Sequence, residues 1–260
     1  MLYIVATPIG NIRDASERMR TVLGSVDFIL CEDTRRSKKL LQMLNIEVPH
    51  LISCHAHNEQ ARVEKAMSEL QSGKIGAYIS DAGMPAISDP GMRMVQAAHQ
   101  MNIPVVPIAG PSAVSTAIAA SGFETPPYHF LGFPPRKSKA LHQWLIQVSQ
   151  FDGVLVLFEA GNRFGGLVSA LQGTMSDREM CLCRELTKTH EEIVRKPIGE
   201  FDATNVLGEV TLVIGPGMAL KTSEQSQKGI KNVAQLLGAE WGMSKRDAYN
   251  LLMTIKPEEP

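Results

Sequence analysis

Ile79-Ser80-Asp81-Ala82-Gly83-Met84-Pro85-Ala86-Ile87-Ser88-Asp89-Pro90-Gly91 is the stretch from which the rest of the chain can be read. It follows a short apolar run, Ile75 to Ile79, and precedes a helical pattern over Met92 to Met101. A strand therefore gives way to a long turn rich in Gly, Pro, Ser and Asp, and the turn to a helix. In an open parallel sheet, small ligands bind in the crevice beyond the carboxyl ends of the strands. Gly83 and Gly91 let the backbone approach a ligand closely, while Pro85 and Pro90 stiffen the turn. Asp81 and Asp89 put carboxylates at its mouth, and Ser88 and Asp89 are placed to cap the helix. Ordered loops of this length are usually functional, so the stretch is expected to hold a ligand.

The same alternation recurs on both sides of it. Upstream, Leu2 to Ala6 is a continuous β-rich run, the mark of a strand buried on both faces, and it stops at Thr7-Pro8-Ile9-Gly10-Asn11. A helix over Ala15 to Leu23, a strand over Val26 to Leu30, a helix over Ser37 to Leu44 and a strand over Leu51 to Cys54 follow. Val63, Ala66, Met67 and Leu70 recur at helical spacing, which makes Glu59 to Gln71 an amphipathic helix. Downstream, a strand over Pro104 to Ile108 leads through Ala109-Gly110-Pro111-Ser112-Ala113 into a helix of small residues ending at Ala120. Strands alternating with helices predict a parallel α/β sheet with right-handed crossovers.

Ser121-Gly122-Phe123-Glu124-Thr125-Pro126-Pro127 clusters Gly and Pro where that periodicity lapses, and is expected to divide two domains. Beyond it the pattern predicts strands at Tyr128 to Leu131, Val154 to Phe158, Met180 to Arg184, Glu191 to Arg195 and Glu209 to Ile214. Helices are expected near Ser138 to Val148 and Phe164 to Leu171. Short links between the last strands fit a mixed sheet. Gly217 to Gly229 is polar and linker-like, and two helical patterns, Ile230 to Leu237 and Ser244 to Ile255, close the chain. The expected organisation is a parallel α/β domain over 1–121, a second mixed α/β domain over 122–217, and a linker with a small helical region over 218–260.

With 44% hydrophobic and 20% charged residues among 260, the chain has the composition of an ordinary globular protein. A formal net charge of -1 means that any nucleic-acid contact must come from local clusters, such as Arg35-Arg36-x-Lys38-Lys39, Arg136-Lys137-x-Lys139 and Lys245-Arg246. Cys31, Cys54, Cys181 and Cys183 lack paired metal-ligand spacing and read as buried thiols of a reducing cytoplasm. Cys181 and Cys183, two apart on a strand, share one face. The start carries no basic segment before Thr7-Pro8, and no apolar run approaches the ~20 residues of a membrane span. No membrane contact is expected. No phosphate-binding G-x-x-x-x-G-K-[ST] loop, G-x-G-x-x-G fingerprint, zinc-deaminase spacing or G-x-S-x-G elbow occurs, which removes several common enzyme classes.

Thr7-Pro8-Ile9-Gly10-Asn11, Glu32-Asp33-Thr34-Arg35, His55-x-His57-Asn58-Glu59, the central loop, Gly132-Phe133 and Arg184-Glu185-Leu186-Thr187-Lys188 occur in that order over roughly residues 2 to 215. Together they resemble the ribosomal-RNA-modifying members of the tetrapyrrole-methylase family of S-adenosylmethionine enzymes. One departure stands out: the family usually has Ser-Pro-His-Arg after the Glu of the strand at Val154 to Phe158, whereas here the run is Glu159-Ala160-Gly161-Asn162-Arg163. The arginine is kept and the histidine is not.

The resemblance implies two α/β lobes with S-adenosylmethionine folded into the cleft between them, no metal, and a homodimer. Carried over by position, the cofactor pocket would take Pro8, Asp81, Ala82, Gly83, Ile87, Ser88, Ser112 and Ala113 from the first lobe, with Phe158 and Leu186 from the second. The implied reaction is 2′-O-methylation of a cytidine, position 1402, in the decoding region of 16S rRNA within the small (30S) ribosomal subunit. Methyl transfer to a ribose hydroxyl needs alignment and a proton acceptor, for which Asp33, Glu32, Glu185 and a depressed-pKa Lys188 are candidates; Arg35 and Arg184 would grip phosphates or orient carboxylates. The Glu32, Asp33 and Arg35 group is the first choice, because it ends a strand and so faces the ligand crevice; the alternative reading is a helix cap with a surface ion pair, and His55-x-His57-Asn58-Glu59 reads as a hydrogen-bonded loop in place of a zinc site. A porphyrin-type methylase and a catalytically idle RNA-binding factor are the rival readings.

Overall fold

The computed structural model describes residues 1–55, 58–124, 127–217 and 243–254. His57, most of the predicted linker and the predicted helix over Ile230 to Leu237 lie outside the described residues. Two compact units divide the chain, Met1–Gly215 and Pro216–Pro260. Within the first, strands β1 (Leu2–Val5), β2 (Phe28–Cys31), β3 (His50–Ser53), β4 (Gly76–Ile79) and β5 (Val105–Ile108) form an all-parallel sheet in the order β3-β2-β4-β1-β5. The helices between them are α1 (Glu17–Leu23), α2 (Thr34–Met43), α3 (Glu59–Gln71) and α4 (Met92–Gln100).

Continuous apolar strands are continuous because both faces are covered. Leu2, Ile4, Phe28, Leu30 and Tyr78 pack with Met67, Leu70, Met94 and Ala98 of α3 and α4. Their strand neighbours Val5, Ile29, Cys31, Ala77 and Ile79 pack with Met19, Leu23 and Leu41 of α1 and α2 on the opposite face. The strand order reverses direction at the centre: β1 is followed by β2 on one side, β4 by β5 on the other. The loops leaving the adjacent β1 and β4 therefore diverge to opposite faces and open a crevice at the sheet's carboxyl edge.

The second sheet has the order β6-β7-β10-β8-β9, from β6 (Tyr128–Phe130), β7 (Val154–Ala160), β8 (Glu179–Arg184), β9 (Glu192–Pro197) and β10 (Glu209–Ile214). Only β6 and β7 pair in parallel; the other neighbours are antiparallel, which makes this the mixed sheet. Helices α6 (Ser138–Val148) and α7 (Gly161–Gln172) cover one face through Leu145, Phe164, Leu167 and Leu171.

The other face is covered by α5 (Ala113–Ser121), which follows β5 of the first sheet. Ala117 is packed among Val154, Val156, Cys181, Cys183 and Val213. Its small residues let the helix lie close on the strands, the reason the Ala/Ser-rich run reads as it does. Arg195 ties the helix end down, its Nη1 donating to the carbonyls of Ser121 (3.2 Å) and Gly122 (2.8 Å). The predicted shared face of Cys181 and Cys183 is this one, with sulfurs 3.8 Å apart. Helix α7 starts three residues earlier than the apolar spacing predicts, because Gly161 and Gly165 fit against the carbonyls of Val206, Gly208 and Ala203, where a Cβ would overlap.

In the unit Pro216–Pro260, helix α8 (Lys245–Thr254) begins as predicted at Ser244, whose hydroxyl accepts from the Asp247 amide at 3.2 Å. The Asp247 carboxylate lies in its first turn, where it favours the helix dipole.

Ala117→Leu forces three extra carbons into the contact between α5 and the second sheet. The expected cost is about 1–3 kcal/mol in urea denaturation, against a change within about 0.5 kcal/mol for a matched substitution at exposed Ser115.

Candidate functional site

Between the carboxyl edge of the first sheet and the second sheet lies a cavity of about 360 Å³. Its size is that of small-molecule sites, which run from ~300 to 1,000 Å³. From the first lobe it is lined by Ile9, the central loop and the start of α5; from the second by Phe133, Phe158, Leu186, Lys188 and Glu209.

Two buried hydroxyls, on Thr7 and Ser80, brace the loop behind the cavity. Thr7, fully buried, pairs with Gly83 through two backbone hydrogen bonds, Thr7 N to Gly83 O at 2.9 Å and Gly83 N to Thr7 O at 3.0 Å. Its Oγ1 donates to the Ser80 carbonyl at 3.2 Å, and the Ser80 hydroxyl in turn faces the carbonyls of Ala82 and Gly83 at 3.2 and 3.1 Å. The loop's far end is fixed by Glu59, whose Oε1 accepts from the Gly91 amide at 3.0 Å. Gly91 has φ of 127° and lies against the Tyr78 ring, so no side chain fits there. Between these anchors Ala86 and Ser88 are held at φ of 65° and 64°. Non-glycine residues in that region cost about 1–3 kcal/mol each and persist where the surroundings over-determine them.

The opposite wall meets the first turn at close range. A Cβ on Gly10 would lie 2.5 Å from Lys188 Cγ and 2.9 Å from the Leu186 carbonyl, and the Asn11 amide donates to Thr187 Oγ1 at 3.0 Å. Glu185 and Thr187, also at positive φ, shape this segment.

Of the residues predicted to hold the cofactor, Ala82, Gly83, Ile87, Ser88, Ser112, Ala113, Phe158 and Leu186 all line the cavity. Pro8 sits between Thr7 and the lining residue Ile9. Asp81 lines a second, open depression of about 610 Å³ with Glu32, Asp33, Arg35, Arg36 and His55. There Asp81 Oδ2 accepts from Arg36 Nη1 at 3.0 Å, and Oδ1 is buried with no hydrogen-bond partner.

The predicted proton acceptors are sorted by charge. Asp33 caps α2 through the Arg35 amide (2.8 Å) and grips the Arg35 guanidinium at 3.1 and 2.7 Å, which holds its carboxyl far below the usual range. It is the cap with an ion pair that its sequence context also allowed. Burial, helped by the Asp81 charge, raises Glu32. Glu185 is lowered by its bond to Lys188 (2.8 Å) and by the Glu209 amide. Burial works against the Lys188 charge, but its bonds to Glu185 and Glu209 (both 2.8 Å) win and raise its pKa. Lys188 is therefore a fixed ammonium at the cavity wall, with no tendency to act as a base. Arg184 is turned away to Glu192 at 2.7 Å.

Sequence reasoning missed Asp89 as a titrating group, and missed Phe133 and Glu159. Asp89 lines the cavity, and burial together with the negative Glu32 and Asp81 raises its carboxyl to about 6. Its signal was present, a carboxylate in the ligand loop, but its meaning depends on Glu32, which is distant in sequence. Glu159 also lines the cavity and is 3% exposed; its Oε1 accepts from the Ala160 amide and its Oε2 pairs with Arg163 at 3.2 Å. That pair accounts for the retained arginine of the divergent run. Helix α5 starts at the cavity, with Ser112, Ala113 and Val114 in its lining, and N-cap Ser112 makes no side-chain hydrogen bond to the helix's first amides. Among the described residues no group of three or more His, Cys, Asp and Glu side chains is placed to hold a metal ion, and no helix is long and apolar enough to cross a membrane.

The comparisons with known proteins say which family shares this two-sheet cleft. Residues 1–202 match the family model of tetrapyrrole (corrin/porphyrin) methylases, and the chain belongs to that family. Within it, the chain is similar to the protein named ribosomal RNA small subunit methyltransferase I of Halalkalibacterium halodurans, with 36% identity over 96% of this chain and 93% of the relative. The protein of the same name from Vibrio cholerae is 40% identical over 82% of this chain and 76% of its own. Among solved structures, the methyltransferase CobJ superposes with a TM-score of 0.62 at 12% identity, covering 83% of this chain and 93% of that one. Uroporphyrin-III C-methyltransferase from Thermus thermophilus, complexed with S-adenyl homocysteine, gives 0.57 at 12% identity over 82% and 96%.

Asp89 carries a stability consequence. Its folded-state pKa, about 6, lies above the ordinary 3.8, so the native state binds this proton more tightly than the unfolded chain. The stabilisation is complete below about pH 4 and is lost as pH rises through about 6. Asp89→Asn is expected to gain stability relative to the parent by roughly 1–3 kcal/mol between pH 4 and pH 8, measured by urea denaturation at both.

Proposed function

We propose that this chain is an S-adenosylmethionine-dependent methyltransferase that modifies a cytidine ribose 2′-oxygen in 16S rRNA of the small ribosomal subunit. The observation that carries this reading is the likeness, at 35–40% identity over most of the chain, to relatives named for that ribosomal RNA. The particular nucleotide, cytidine 1402, is the site that the sequence resemblance implied.

The cavity fits the donor on chemical grounds. The uncapped amides of α5 and the Ser112 hydroxyl suit a methionyl carboxylate. Ile9, Met84, Ile87 and Leu186 offer apolar walls for an adenosyl group. Bound there, S-adenosylmethionine supplies an electrophilic methyl group with a good leaving group already attached.

What remains for the protein is alignment and the proton. Holding two reactants in line is worth up to ~7–11 kcal/mol in well-oriented cases, and the strained loop anchored by Thr7, Ser80 and Glu59 is stiff enough to do it. Asp89 is the carboxylate poised to take the ribose proton: it lines the cavity, and burial with the negative Glu32 and Asp81 raises its basicity against the opposing effect of its hydrogen bond with Ser80. Arg35 and Arg36 line the acidic depression, and the Lys188 ammonium lines the cavity. A second copy of the chain, and recognition of the assembled subunit, belong to the same proposal.

Incubation with labelled S-adenosylmethionine and undermethylated small subunits, followed by nuclease digestion and mass spectrometry, is expected to yield 2′-O-methylcytidine. Label in uroporphyrinogen with none in RNA would contradict the reading. Turnover is expected to rise with pH through about 6 and then level, and Asp89→Asn to lose about 10²–10⁴-fold in kcat with donor affinity retained.

A further inference from the structure

The segment between β6 and α6, Leu131-Gly132-Phe133-Pro134-Pro135-Arg136-Lys137, presents a large aromatic ring to solvent at the cavity mouth. Phe133 lines the cavity yet is 58% exposed. It leans on Phe158 at 5.6 Å between ring centroids and 60° between planes, and Phe158 in turn meets Phe130 at 5.0 Å. The outermost ring is thus held by a tilted contact with Phe158 while more than half of it stays exposed.

The backbone that carries the ring is held in place. Gly132, at φ of 65°, passes the Ser88 hydroxyl so closely that a Cβ would lie 3.3 Å from it. The Gly132 carbonyl accepts from the Phe158 amide at 2.9 Å. Arg163 Nη2 donates to the Pro134 and Pro135 carbonyls at 3.4 Å each while pairing with buried Glu159. Two prolines and three tethered carbonyls leave little conformational freedom to lose when a ligand settles on the ring.

Immediately after the ring come Arg136, Lys137 and Lys139, all exposed. Among the described residues none of the three forms an ion pair, and they crowd the N-terminal end of α6, where the helix dipole disfavours cations. Unpaired cations beside an exposed aromatic ring match a strand that carries bases and phosphates in alternation.

We propose that Phe133 is the stacking platform for an unpaired RNA base at the mouth of the cavity, with Arg136, Lys137 and Lys139 taking the adjoining phosphates and Arg163 positioning the loop. This rests on the methyltransferase reading above and adds the element that receives the substrate strand.

The test compares wild type with Phe133→Ala, Phe133→Trp and the triple change R136E/K137E/K139E. Affinity for undermethylated small subunits is read by filter binding across a salt series, and affinity for S-adenosylhomocysteine by calorimetry. Phe133→Ala is expected to weaken subunit binding about tenfold with S-adenosylhomocysteine affinity unchanged, and Phe133→Trp to restore it. The triple change is expected to flatten the salt dependence. Loss of S-adenosylhomocysteine affinity with subunit binding intact would overturn the proposal and assign the ring to the donor's adenine. Unchanged subunit binding, or no binding by wild type, would overturn it as well. The methyltransferase reading fails by a different sign, subunit binding with no methyl transferred.

Discussion

Helix α5 belongs to two structures at once. Its sequence neighbours lie in the first sheet, and its packing partners, Val154, Val156, Cys181, Cys183 and Val213, lie in the second. Ala117 at the contact is what allows the helix to approach the strands without a gap. Because the same helix begins in the cavity, with Ser112 and Ala113 in its lining, the packing that joins the lobes also fixes where its first turn lies. The cleft is a consequence of that seat.

Strain and burial are concentrated around this space. Ser88, which lines the cavity, and Ala86, Glu185 and Thr187, each next to or within two residues of a lining residue, are non-glycine residues at positive φ. They are held by contacts made elsewhere: Thr7 with Gly83, Glu59 with Gly91, and Glu185 with Lys188 and the Glu209 amide. Asp89 adds a carboxylate kept near neutrality by burial and by its negatively charged neighbours. Each feature lowers stability locally, and Ser88 and Asp89 sit in the cavity itself.

Much of this was legible in the sequence because it is written in local patterns. Doubly buried strands read as unbroken apolar runs, and Glu59–Gln71, Ser138–Val148 and Glu209–Ile214 have the limits that periodicity gives them. The central loop was recognisable from Gly83, Pro85, Pro90 and Gly91 alone. What the sequence could not show depends on meetings between distant segments. Nothing near Lys188 says that Glu209, twenty-one residues on, joins Glu185 in holding it charged. Nor does Phe133 differ locally from a core phenylalanine; its exposure follows from where Gly132 and Phe158 place it.

The central claim is that one ligand, S-adenosylmethionine or its product, is gripped by both lobes across the seat of α5. Amide hydrogen exchange with and without S-adenosylhomocysteine tests it directly. The account predicts added protection in three segments together: residues 80–91, residues 112–116 and residues 185–188. Protection confined to one lobe, or none at saturating ligand, would contradict it.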